Sequence, residues 1–147
     1  MQVSVTSHRE REPLAFAAFE ELALYVLRME EAPEETELSI ALVDPPEMAR
    51  LNKQYRDVDA PTDVLSFGCD DPCAAPSGEP ITLGDVVIAP EIAEAHAAEL
   101  GTTVESELNL LLVHGILHLL GYDHESDEDA QVMQERERVL LDGYQTS

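Results

Sequence analysis

Lysine occurs once in this chain, at Lys53, and only 8 lysines and arginines stand against 31 aspartates and glutamates, for a formal charge of −23. Such a deficit of positive charge opposes non-specific attraction to phosphate backbones, of RNA as much as of DNA, and favours basic partners; DNA is not expected among its ligands. The acidity also suits a solubility device or a salty cytoplasm. Cysteine is nearly absent. Cys69 and Cys73 stand among Asp70, Asp71 and Pro72 with neither a CxxC spacing nor nearby histidines, so they are expected to be reduced and inert. No long hydrophobic run is present. The most apolar segment, Leu108 to Leu120, contains Asn109, His114 and His118 and is too short and too polar to span a bilayer. Arg9, Glu10, Arg11 and Glu12 interrupt the N-terminal stretch, nothing there resembles a secretory signal, and a cytoplasmic location is expected. No repeat period is visible.

What is present describes one folded domain over residues 1–147. With 44% hydrophobic and 27% charged residues, the composition is that of a globular protein. A chain this long buries roughly 68–70% of the surface its unfolded form exposes. Alternation over Gln2 to Ser7 predicts a strand, and Ala15, Ala18, Phe19, Leu22, Val26 and Met29 share one face of a helix opened by Pro13. Leu38 to Val43 reads as a second strand. Pro45 and Pro46 then start a shorter helix with Met48, Leu51 and Tyr55 facing inward. Val64 to Phe67 suits a strand, Gly68 to Pro80 a loop, and Asp85 to Ala89 another strand. A short helix follows from Pro90, with Ile92, Ala93, Ala97 and Leu100 inward and Gly101 as its stop. Thr102 and Glu105 form a capping-box pattern for a long helix so apolar around its circumference that it should be the buried centre of the domain. Gly121 ends it. Ser126 caps a last helix with Met133, Val139 and Leu140 inward, fraying near Gly143. The class is α/β (α+β) around a central helix.

That central helix carries the chemistry. His114, His118 and His124 form H-x3-H-x2-G-x2-H. Residues four apart sit one above the other on a helix, so His114 and His118 can present imidazoles to one ion. Gly121, free to adopt the left-handed conformation, lets the chain turn and return His124 to the same ion. An HxxxH pair alone reads as two satisfied core histidines. Three of the five histidines within eleven residues, on a helix that otherwise rejects polar groups, point instead to metal. Three imidazoles favour a single zinc ion per chain and leave a fourth position open, as in catalytic sites. His8 and His96 lack such an arrangement and read as surface or boundary residues. The spacing matches the zincin pattern H-E-x-x-H-x-x-G-x-x-H with one difference: position 115 is Gly where those proteases carry the glutamate that activates water. A peptidase of that kind is therefore not expected.

From His114 to His124 the chain resembles the YbeY family of endoribonucleases and rRNA maturation factors, whose signature is H-G-x-L-H-L-x-G-Y-D-H. The similarity extends through Leu51-Asn52-Lys53-Gln54-Tyr55-Arg56, Pro61-Thr62-Asp63-Val64-Leu65-Ser66-Phe67 and Leu83-Gly84-Asp85-Val86-Val87-Ile88, in the family's order. The resemblance implies a compact fold with a mixed four-stranded sheet and about five helices, zinc at the three histidines, and action on single-stranded RNA in small-subunit rRNA 3′ end processing and ribosome quality control. It implies a functional role for Arg56. Arg56 and His114 are the expected catalytic residues, and Asp123 reads either as a carboxylate that orients His124 or another ligand or as a cap of the turn. Chemistry agrees on Arg56, because a guanidinium holds phosphate oxygens at two points and stabilises charge developing in phosphodiester cleavage. Arg50, Lys53 and Arg56 lie three apart and form a local basic strip, either a docking surface for RNA or a solvated helix face. The nucleophile is either a water acidified by zinc to a pKa of roughly 7 or the RNA 2′-hydroxyl. Competing with the enzyme are a ribosome-assembly factor with structural zinc, whose acidic surface binds basic ribosomal proteins or other assembly factors, and a hydrolase of another ester or amide.

Overall fold

The computed structural model describes residues 1–9, 16–71, 79–123 and 125–146. Along the chain lie β1 (Gln2–Ser7), α1 (Phe16–Met29), β2 (Thr36–Leu42), α2 (Pro45–Arg56), β3 (Val64–Gly68), β4 (Ile81–Ile88), α3 (Pro90–Leu100), α4 (Val104–Leu119) and α5 (Asp127–Thr146). The strands form one mixed sheet in the order β1-β2-β4-β3. β1, β2 and β4 run parallel and β3 is the antiparallel edge, with Val64 opposite Ile88 and Phe67 opposite Asp85.

Helix α4 is the hub. It packs against α1, α3 and α5 and against strands β3 and β4, which explains why its apolar residues run nearly all the way round: Leu108, Leu111, Leu112, Val113, Ile116 and Leu117 are buried. The sheet divides the apolar residues between two clusters. Val86 and Ile88 face α1 and α4, whereas Leu65 and Val87 face Met48 and Leu51 of α2. No helix of the described residues is long and apolar enough to cross a membrane.

Several boundaries and faces differ from the sequence reading, each for a local reason. β4 begins at Ile81, ahead of the expected Asp85, because Gly84 is taken into the strand: at φ 145° an added Cβ would meet the Phe67 carbonyl oxygen. Thr103, not Thr102, caps α4, its Oγ1 accepting from Ser106 N at 3.1 Å, since the Thr102 amide is used to close α3 on Ala97 O at 3.0 Å. Tyr55, Leu100, Met29 and Val139 are exposed rather than inward. In α2 the inward position beyond Met48 is taken by Asn52, and in α5 Glu137 fills the turn between Met133 and Leu140. Helix α5 continues through Gly143, which lets α1 approach: a Cβ there would stand 2.5 Å from the Tyr25 hydroxyl. Pro13 and Ala15, Cys73 and most of the Gly68–Pro80 loop, and His124 lie outside the described residues. Cys69 is an exposed free thiol.

Candidate active site

Edge strand β3 and the C-terminal half of α4 form the walls of a cleft. Strand alternation turns Leu65 and Phe67 toward α2 and Ser66 toward α4, where its Oγ donates to Gly115 O at 3.0 Å. Gly115 faces the sheet. A Cβ at this position would lie 2.7 Å from Val86 Cγ1 and 3.2 Å from Ser66 Oγ. The position that carries a glutamate in zinc proteases therefore has no room for one here, and the sheet, not the cleft, is what it faces.

His114 and His118, one turn apart, set their rings edge to face with centroids 4.8 Å apart. Together with Arg56, Asp63 and Ser66 they line a cleft of about 480 Å³. His114 Nδ1 is 3.2 Å from Glu137 Oε2, and Glu137 is only 6% exposed. A carboxylate accepts only, so in the neutral ring this contact assigns the proton to Nδ1 and makes Nε2 the nitrogen that would ligate a metal. This pairing is what a metal-ligating histidine requires, and on that ground His114, with His118 one turn away, fits an ion. His124, the third expected ligand, lies outside the described residues. Sequence reading missed Glu137. Its signal was a carboxylate in register with Met133 and Leu140 on the apolar face of α5, an inconsistency that usually marks a buried partner.

Arg56 reaches the cleft from the last turn of α2. Asp57 ends the helix in the left-handed region at φ 58°, and buried Asn52 holds the returning chain by donating from Nδ2 to Ala60 O at 2.8 Å. The expected basic strip is largely cancelled. Arg50 donates from Nη2 and Nε to the Glu47 carboxylate at 2.6 and 2.8 Å, which holds the Glu47 carboxyl below its ordinary range. Lys53 pairs with Asp57 at 3.4 Å. Self-neutralised residues on an exposed helix face make the solvated-face reading of Arg50 and Lys53 the better one.

In the turn after α4, Gly121 adopts φ 106°, and the amide of Tyr122 returns to Leu117 O at 3.0 Å. Tyr122 Oη donates to Glu30 Oε2 at 3.1 Å, and Arg136 binds the other oxygen of that carboxylate. Burial, then the Glu30 charge, raises the Tyr122 hydroxyl above its ordinary value. Asp123 Oδ1 accepts from Glu125 N at 2.9 Å, the geometry of a turn cap. His8 is exposed as expected. His96 is not isolated: with Asp63 and Glu107 it forms a group whose ligand atoms lie within 4.8 Å of one another and can hold a metal ion.

Residues 4–145 match the family model described as Endoribonuclease YbeY. Curated proteins of that description include one from Pelotomaculum thermopropionicum, 46% identical over 79% of this chain and 77% of its own length. Another, from Lachnoclostridium phytofermentans, is 35% identical over 94% and 96% of the two chains. The solution structure of TM1509 from Thermotoga maritima superposes with a TM-score of 0.61 over 99% of this chain and 93% of its own, at 27% identity.

Proposed function

The chain belongs to the Endoribonuclease YbeY family, and from that premise we propose that it cleaves single-stranded RNA, using zinc held by His114, His118 and His124. Endoribonuclease activity comes with the family, and RNA is the substrate class it implies. The finer reading places it in small-subunit rRNA 3′ end maturation and ribosome quality control in the cytoplasm, with residues 1–147 acting as one catalytic domain. Basic ribosomal proteins or assembly factors are the partners that suit a net charge of −23.

One observation carries the reading: Arg56 shares a cleft with His114 and His118, and the Nδ1 proton of His114 is fixed by buried Glu137. When bound, zinc supplies a Lewis acid for a phosphoryl oxygen or for water. Arg56 binds non-bridging phosphate oxygens through its guanidinium and stabilises the charge that builds on them. Glu137 keeps His114 in the tautomer that ligates through Nε2. Asn52 and the left-handed Asp57 aim the chain from α2 back to β3, so that Arg56 and Asp63 border one space. A terminus with a 2′,3′-cyclic phosphate would assign the 2′-hydroxyl as nucleophile, and a plain phosphate would assign water.

The test compares zinc-loaded protein with Arg56→Ala and His114→Ala on defined single-stranded RNA. Removing a donor to the developing charge costs about 10²–10³ in rate, so Arg56→Ala should cleave that much more slowly. Equal trace cleavage by all three preparations would assign the signal to a contaminating nuclease and contradict the proposal.

A further inference from the structure

Three side chains from separate segments converge beside the histidine cleft. Asp63 precedes β3, His96 lies on α3 and Glu107 on α4, and their ligand atoms are all within 4.8 Å of one another. His96 Nδ1 stands 3.4 Å from Asp63 Oδ2. A tetrahedral ion with ligand bonds of about 2.0–2.1 Å spaces its donors about 3.3 Å apart, so this pair is already at coordination distance. Glu107 completes the set within the swing of one carboxylate.

Glu107 provides an independent reason. The residue is only 9% exposed, and its carboxylate has no hydrogen bond or ion pair to another described residue. A largely buried carboxylate on the cleft wall with no donor among the described residues is available to a cation. Glu107 and Asp63 line a cleft of about 680 Å³ that also reaches His114 and Glu137, which gives an ion a path from solvent.

We propose that Asp63, His96 and Glu107 form a second divalent-cation site, distinct from the three histidines, with water in the remaining positions. One imidazole and two carboxylates suit a first-row dication such as manganese, and two carboxylates cancel its charge. Asp63 and His114 line both clefts, so the ion sits at their junction. In a chain of net charge −23 it would neutralise two carboxylates beside the cleft and leave its water positions open to RNA phosphate oxygens, next to Arg56. That service rests on the endoribonuclease reading. The site itself rests on geometry, and its test reads binding rather than cleavage.

Manganese binding to the full chain is followed by electron paramagnetic resonance in excess magnesium, which competes for weak surface carboxylates. The protein is compared with His96→Ala, Glu107→Gln and His118→Ala, each checked for fold by circular dichroism. The expected result is a tight manganese equivalent retained in His118→Ala and weakened in His96→Ala and Glu107→Gln. Loss of a mere outer partner costs about 10–100-fold, so loss of a ligand should cost at least about tenfold. Affinity unchanged in either folded variant of this group, or lost only in His118→Ala, would overturn the proposal. Should one of the two variants fail to fold, the other decides.

Discussion

Replacing Glu137 by alanine should weaken metal binding without touching any histidine. The carboxylate is 6% exposed and stands 3.2 Å from His114 Nδ1. Its loss removes a hydrogen bond to a charged group, a contribution of about 1.5–3 kcal/mol, and frees the ring to place its proton on either nitrogen. At about 1.4 kcal/mol per factor of ten, that corresponds to roughly 10–100-fold weaker affinity, the range seen when such partners are removed. Competition against a chromophoric zinc chelator measures it, with nitrogen NMR of the imidazoles reporting the tautomer. Glu137→Gln, which keeps the shape but loses the charge, should fall between. A folded Glu137→Ala protein that binds zinc as tightly as the wild type would refute the assigned role.

Other consequences follow from the same geometry. Gly115→Ala forces a methyl to within 2.7 Å of Val86 Cγ1, and overpacking of this kind costs about 1–3 kcal/mol. Its Tm should drop by about 2–10 °C, and the drop should shrink when Val86→Ala is added, as a double-mutant cycle of melting curves would show. Asn52→Ala removes the bond to Ala60 O; a loosened approach to β3 should slow RNA cleavage roughly 10–100-fold while stability falls by only about 0.5–1.5 kcal/mol. Equal loss of activity and fold would argue against a positioning role. Tyr122 titrates above its ordinary value because of burial and Glu30, so the unfolded chain releases that proton first. The associated stability is complete below about pH 10 and is lost as the pH climbs through the raised value. Tyr122→Phe should therefore flatten the alkaline limb of a denaturant titration, and an unchanged limb would contradict the assignment.

The sequence made some parts of this structure legible and hid others for identifiable reasons. The individual strands and helices and the buried character of α4 follow from periodicities that tertiary contacts reinforce, with Leu112 and Ile116 buried because neighbours surround that helix, whereas the mixed sheet was legible only through the family resemblance. The faces of the outer helices were less readable. Leu100 and Val139 are exposed, and a single apolar residue at a plausible spacing does not reveal where the neighbouring layer ends. Of the site, the spacing of His114 and His118 was visible because one helix presents both. Glu137, Asn52 and the Asp63–His96–Glu107 group were not, because each acts across elements distant in sequence, and a polar residue at an inward position looks like an error until its partner is seen. Gly115 was read as the absence of a base; the structure adds that the position faces Val86 and Ser66.

The most direct test of the account is X-ray absorption at the zinc edge on protein loaded with one equivalent of zinc, beside His118→Ala and His124→Ala. The prediction is three imidazole nitrogens and one exchangeable oxygen at about 2.0–2.1 Å, with a ring lost from the shell in each variant. A shell dominated by carboxylate oxygens, unchanged by either substitution, would place the ion elsewhere and contradict the account.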